Sequence, residues 1–515
     1  MTGRHHNKWV IAGTVMIGNI MAVLDSSIVN VALPDMGGNL GATIEEITWV
    51  VTGYILANVL VMPIVGMLSS RYGRKRMYLL SIAVFTAASM ACGMSTSLGM
   101  LVAYRVLQGM AGGILITVPQ AVLRESFPGH EQGLAMGIYG MGVVLAPAIG
   151  PTLGGWLTDR YSWPWVFFIN VPIGLLNLIM VQRVIEDPPY LERTKAKIDF
   201  PGLGFMIVGL GAFQLMLEEG QRDDWFQSTF IVRLAVIAAV GIVLFLWREL
   251  TTDRPAANLR ILKNPTFGAA TFLGGIMGAG LSGSLFILPM FLERLLGYNA
   301  MDAGIALMPR SLAMLVCMPI AGRAYNRVGP RLMVLFGLGF IVAGYWQLGH
   351  MSIDTGIWNL VVPQLCTGTG FSFLFAALST AALSKIDRAQ MTAATGLYNV
   401  VRQVMGSIGI ATVATMLTHG QSRFYAMLAE DSSSPIARNW LGAVTHATQA
   451  AGASLYDAER KALQLLGLKV SAQAAVLSYN HIFLVVAGVF VIVSPLVMLL
   501  PFHGYRGEPA EAIAE

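Results

Sequence analysis

Long apolar stretches separated by short polar ones repeat along the whole chain. A helix crossing the hydrocarbon core of a bilayer needs about 20 predominantly apolar residues. Stretches of that kind lie at 9–33, 47–69, 77–96, 98–120, 132–157, 165–183, 199–217 and 230–248. Six more follow at 267–291, 303–321, 333–349, 358–381, 391–418 and 481–500. The pattern predicts an all-α integral membrane protein with fourteen spanning helices. One position interrupts it: NIMAVLDSSIVNVALP, residues 19–34, puts Asp25 in the middle of the first span, where an ionised carboxylate is expensive.

Composition supports the membrane reading. Of the 515 residues, 55% are hydrophobic and only 12% charged, with a mean hydropathy of +0.64. Soluble domains carry about 25% charged residues, so a water-soluble chain of this length would lack the polar groups to cover its surface. The 56 glycines suit helices that approach closely in lipid, where small residues replace the hydrophobic drive. Cys92, Cys317 and Cys366 lie in or beside apolar runs without a CxxC pair and read as small buried residues. The basic start MTGRHHNKWV precedes an apolar run too long for a signal-peptide core, so the first span is expected to be uncleaved.

The net charge of +5 means less than its placement. With the N-terminus inside, the inside segments hold Arg4, Lys8, Arg71, Arg74, Lys75, Arg76, Arg124, Arg183, Arg193, Lys195 and Lys197. They continue with Arg248, Arg254, Arg260, Lys263, Arg323, Arg327, Arg331, Lys385, Arg388 and Arg506. The short opposite loops carry Arg160, Arg222, Arg294 and Arg233. The positive-inside rule then places both termini in the cytoplasm, and directs the basic charge to the membrane surface rather than to nucleic acid. The one long hydrophilic interruption, 419–479, is extracytoplasmic by the same count; it carries amphipathic helical patterns such as DAERKALQLLGL, and reads either as an inert loop or as a docking surface.

The chain also repeats. GMLSSRYGRK at Gly66 matches GRAYNRVGPR at Gly322, so that Gly66, Arg71, Gly73 and Lys75 correspond to Gly322, Arg327, Gly329 and Arg331. Gly137, Tyr139 and Gly150 correspond in the same way to Gly396, Tyr398 and Gly409. The offsets relate spans eight apart and imply two six-helix halves, 1–184 and 266–515, with two extra spans inserted at 185–265. Parallel halves with a site at their interface are the architecture of many secondary transporters.

No phosphate-binding loop, metalloprotease motif, haem-attachment motif or Ser/His/Asp arrangement occurs, and no enzyme chemistry, metal or cofactor is expected. Energy for transport would have to come from an ion gradient acting on ionisable groups within the membrane. The clear ones are Asp25, Arg105, Arg310 and Arg402, with Glu125 and Glu293 near span ends. Asp25 is the group that can take up a proton; Arg105 is a fixed positive charge that biases a neighbour.

Four segments then carry a family resemblance. LDSSIVNVALP (24–34), LVAYRVLQGMAGG (101–113), GVVLAPAIGPTLGG (142–155) and WVFFINVPIG (165–174) resemble the first-, fourth-, fifth- and sixth-helix motifs of the fourteen-helix drug:proton antiporters of the major facilitator superfamily. IDFPGLGFMIVGLGAFQLMLEEG with DDWFQS, and VRQVMGSIGIA, extend the likeness over most of the chain. The resemblance implies proton coupling at Asp25 and Arg105, and an antiporter motif of Gly142, Pro147, Gly150, Pro151, Gly154 and Gly155 acting as a hinge between halves. It further implies a loop motif of Gly66, Arg71, Gly73 and Arg74, and a substrate cavity for which Asp25, Asn30, Gln108, Arg310 and Arg402 are nominated. Two departures stand out: Ser70 replaces the loop motif's usual aspartate, and Pro164 replaces an arginine before the sixth helix.

By the same resemblance the expected activity is export of lipophilic small molecules in exchange for protons across a bacterial inner membrane. An EmrA-type periplasmic membrane-fusion adaptor and a TolC-like outer-membrane channel would complete the path. A dedicated exporter of one metabolite, lipid or siderophore remains open, as does an uncoupled facilitator or sensor.

Overall fold

The computed structural model describes residues 7–188, 199–252, 255–430 and 434–502; Arg4, Arg193, Lys195, Lys197, Arg254 and Arg506 lie outside them. Among the described residues there are no strands, and fourteen helices are long and apolar enough to cross a membrane. They are α1 (Lys8–Leu40), α2 (Ile44–Tyr72), α3 (Arg74–Gly93), α4 (Leu98–Ser126), α5 (Gln132–Arg160) and α6 (Trp165–Val184). Next come α7 (Phe200–Glu219), α8 (Thr229–Thr251), α9 (Pro265–Leu295), α10 (Ala300–Val328), α11 (Pro330–Leu348) and α12 (Ile357–Leu383). α13 (Met391–Glu430) and α15 (Leu455–Val493) complete the spans, and a non-spanning helix, α14 (Pro435–Ala450), lies between them.

Local chemistry sets many of the boundaries. Asn264, Asn299, Ser97, Ser434 and Ser454 cap helix N-termini by accepting a backbone N–H in the first turn. Gly73 and Gly329, the matched glycines of the repeat, adopt almost the same left-handed geometry, φ 87° ψ 145° and φ 84° ψ 154°. Each ends one helix and starts the next without a connecting loop, a conformation that only glycine takes cheaply.

The segment 419–479 is largely helical. α13 runs on to Glu430, and α15, capped by Ser454, already begins at Leu455, so both helices continue beyond the apolar core. α14 rests on α15. Ile436, Tyr456, Leu463 and Leu468 nevertheless stay exposed on this projection.

α1 to α6 pack among themselves, as do α9 to α13 with α15, and the two sets meet chiefly through α5 against α10 and α12, and α13 against α2 and α4. The close approaches gather at the end that carries the basic loops. Gly133 abuts Gly322, Gly137 abuts Met318, Gly66 abuts Ala393 and Gly396 abuts Met62. There Arg124 Nη2 donates to the Leu383 carbonyl (3.3 Å), placing a cation at the C-terminus of α12, where the helix dipole favours it. At the opposite end the hairpin of α7 and α8 touches both sets. Gln214 Nε2 donates to Ser407 Oγ (2.7 Å), Trp225 Nε1 to Thr415 Oγ1 (2.8 Å) and Arg222 Nη1 to the Glu45 carbonyl (3.5 Å).

The glycine contacts leave no room for a side chain. Gly322→Val is expected to force the basic-loop end apart. In a variant freed of its three cysteines, spin labels at His130 and Arg388 should then show longer distances; an unchanged distribution would show that these glycines do not hold the sets together.

Candidate functional site

Asp25, in the middle of α1, is completely buried, and so are the side chains that meet it. Arg105 and Gln108 stand three residues apart on one face of α4, so both reach α1. Asn170 comes from α6, immediately after a break at Ile169; Pro172 falls in the following first turn, where no intrahelical N–H is needed. Ser89 is supplied by α3.

The pocket is an ion pair inside a shell of amides. Arg105 Nη1 lies 2.5 Å from Asp25 Oδ2, while Gln108 Nε2 and Asn170 Nδ2 both donate to Asp25 Oδ1 at 2.8 Å. Arg105 also donates from Nε to the Val50 carbonyl (3.0 Å) and from Nη1 to Gln108 Oε1 (2.8 Å). Its guanidinium sits 4.2 Å from the centre of the Tyr54 ring. Asn170 Nδ2 additionally donates to Ser89 Oγ (3.0 Å), which in turn donates to the Phe167 carbonyl (2.8 Å). A buried charge is tolerated only when paired and hydrogen-bonded, and here both charges are.

The sequence nominated Asp25, Arg105 and Gln108, and the structure brings these three together. Asn170 and Ser89 were missed, although Asn170 lies inside the quoted stretch WVFFINVPIG. The other nominees stand apart. Asn30 is more than a turn further along α1 and exposed. Arg310, on α10, is buried with Ser284 Oγ (2.6 Å) and Gln364 Oε1 (3.0 Å) as acceptors. Arg402, on α13, donates to Asn399 Oδ1 (3.1 Å) and lies 5.3 Å from the Phe375 ring centre. Asn399 Nδ2 donates across to Gln120 Oε1 of α4 (2.6 Å), so Arg402 borders the seam between the sets.

α7 and α8 run past the expected ends at 217 and 248 and take in Glu218, Glu219 and Glu249. Glu218 accepts from Gln214 (2.8 Å), and Glu219 pairs with Arg222 (2.5 Å). Glu249 accepts the backbone N–H groups of Ala256 and Ala257.

The two glycine motifs have distinct places. Gly142, Gly150 and Gly154 press α5 against α1, where an added Cβ would meet Met16, Ser27 and the Ile28 carbonyl. Gly155 has only ordinary contact with Val31, and Pro147, like Pro151, lies inside α5, its carbonyl accepting from Ser27 Oγ (3.4 Å). The α5 face that meets the other set is Gly133, Gly137 and Gly140, nearer the basic-loop end. In the loop motif Gly66 touches α13, Arg71 lies over Tyr72, and Gly73 makes the turn. Arg74 forms a two-pronged ion pair with Glu125 of α4 (2.5 and 3.1 Å). Ser70 only bonds back to the Met67 carbonyl (2.9 Å).

The Major Facilitator Superfamily profile matches residues 15–410. The chain belongs to this superfamily. It is 34% identical to the multidrug export protein EmrB of Escherichia coli K12, over 93% of each chain. It is also 34% identical to the fatty acid resistance protein FarB of Neisseria gonorrhoeae, over 95% of each, and 30% identical to the probable multidrug resistance protein EmrY of E. coli K12, over 95% and 94%. Among solved structures it matches the human organic anion transporter MFSD10 with a TM-score of 0.61 at 12% identity, over 96% of this chain and 100% of that one. The proton:xylose symporter XylE matches with 0.57, also at 12%, over 93% and 94%. These structural likenesses bear on the fold alone.

Removing one member of the pair strands a buried charge. Arg105→Leu should therefore destabilise the protein by about 3–5 kcal/mol. Asp25→Asn/Arg105→Leu, which removes both charges, should lose clearly less in thermal unfolding in detergent; equal losses would show that the charges do not interact.

Proposed function

We propose that this protein is a proton-coupled antiporter that exports hydrophobic or amphipathic small molecules across the bacterial inner membrane, with both termini cytoplasmic. The observation that carries the reading is the sealed pocket around Asp25. Neutralising Asp25 would leave Arg105 as a buried cation without its counter-charge, so taking up a proton and rearranging the pocket are linked. Its relatives support the export half of the reading: EmrB is named as a multidrug exporter and FarB as a fatty acid resistance protein.

In this reading the chain divides into halves at 1–184 and 266–515 around a two-helix insert at 185–265, and the halves rock about a midplane cavity. The basic-loop end is cytoplasmic, so the contacts gathered there make this the outward-facing state. Protons are taken up from the outside when the sealed pocket opens to that side, and release to the inside follows when the halves rock. The antiporter motif joins α5 to α1 close to Asp25, while the earlier glycines of the same helix join it to α10. A shift of one half is thus carried along α5 to the proton site, which gives the motif the role of a link within the first half rather than a hinge at the seam. Asn30, Arg310 and Arg402 remain nominees for the cavity wall. The projection formed by the ends of α13 and α15 with α14, and its exposed apolar residues, serves as part of the docking surface for an EmrA-type adaptor feeding a TolC-like duct.

In proteoliposomes with an acidic exterior, addition of a lipophilic drug should drive proton movement in the wild type and none in Asp25→Asn with normal folding. Undiminished flux in that variant would point to an uncoupled facilitator or a different proton site. Export confined to one compound in a broad drug panel would favour the dedicated exporter.

A further inference from the structure

On the outer surface of the first set, α3 and α6 leave a groove of about 720 Å³ between them. Its walls are apolar, with Leu79, Leu80 and Ala83 on one side and Leu178 and Ile179 on the other. Arg76, Gln182 and Arg183 line the same groove, and both arginines are exposed. They stand within the first turn of α3 and the last turn of α6, at the basic-loop end of the bundle. Lys75 adds a third cation there, its Nζ donating to the Gln182 carbonyl (2.7 Å). Two acids follow the end of α6: Asp187 is engaged by the backbone N–H of Lys75 (2.7 Å), and Glu186 is exposed.

Such a groove faces lipid and not water, because α3 and α6 are spanning helices and Leu80 and Ile179 are more than half exposed on its walls. Its geometry separates two chemistries along the membrane normal, with hydrocarbon-lined walls deeper in and paired guanidinium groups at the level of the lipid headgroups. Guanidinium forks match the oxygens of a phosphate. Basic pockets between spanning helices on the cytoplasmic side suit acidic headgroups. We infer that this groove is a binding site for one anionic phospholipid, its phosphate held by Arg76 and Arg183 and one acyl chain lying along Leu79, Ala83 and Leu178. A zwitterionic lipid would fill the apolar part equally well but bring a compensating cation to the arginines, so selectivity should follow headgroup charge. The site lies on the membrane-facing side of the half that contains Asp25 and is independent of the export reading.

The test uses purified full-length protein, stripped of lipid in a neutral detergent, with native mass spectrometry to count retained lipid. Phosphatidylglycerol and phosphatidylcholine of identical chains are added in parallel, and Arg76→Gln/Arg183→Gln is compared with the wild type. The wild type should retain one phosphatidylglycerol at least tenfold more tightly than phosphatidylcholine, and the double variant should lose that preference while still binding both weakly. Arg76→Lys/Arg183→Lys keeps the charge and should retain a reduced preference, which separates recognition from misfolding. Equal retention of the two lipids by the wild type, or an undiminished preference in the double glutamine variant, would overturn the assignment; so would binding of inorganic phosphate strong enough to displace the lipid, since that would place the ligand in solution.

Discussion

Everything in the first helix set is organised around one electrostatic constraint: a carboxylate and a guanidinium buried together where neither is tolerable alone. Asp25 accepts from Arg105 and Gln108 of α4 and from Asn170 of α6, and Ser89 of α3 holds Asn170 in place by accepting from the same amide, so α3, α4 and α6 converge on α1. Tyr54 of α2 covers the guanidinium and ties back to α1 through the Ala22 carbonyl (2.9 Å). The packing of these helices and the solvation of the pair are therefore one problem, and any change in the charge on Asp25 must be felt by four neighbouring helices.

The second organising feature is reciprocity. Gly137 of α5 packs on Met318 of α10, and its counterpart Gly396 of α13 packs on Met62 of α2. Close backbone approach in lipid depends on such small residues. The two seams thus use the same device at matched positions, while the polar pocket is not repeated. Where the first set holds a complete ion pair, the second holds Arg310 with neutral acceptors and Arg402 with Asn399 and an aromatic ring. The scaffold is symmetric and its charges are not.

Much of this was legible in the sequence because the bilayer imposes strong rules. A span must be apolar for about 20 residues, so the count of fourteen emerges from hydropathy alone. The glycine pairs of the repeat mark turns and seams that tolerate no side chain. Asp25 and Arg105 were visible because charges are conspicuous in apolar runs. Asn170 was not, since several neutral amides lie in these spans, Asn19, Asn58 and Asn177 among them, and one becomes meaningful only when its partner is known. Glu218, Glu219 and Glu249 escaped because helices continue beyond the hydrophobic stretch that reveals them. Helix within 419–479 was legible from amphipathic patterns such as DAERKALQLLGL, which lies in α15, whereas the place of Gly142, Gly150 and Gly154 against α1 could come only from knowing which helices are neighbours.

The proposed export depends on coupling between the proton on Asp25 and the bound substrate. It is tested most directly by measuring proton release from detergent-solubilised protein in weakly buffered solution when a transported lipophile is added. The expected result is a substrate-dependent release that disappears in Asp25→Asn while that variant still binds the compound. Release of the same size from wild type and variant would contradict it.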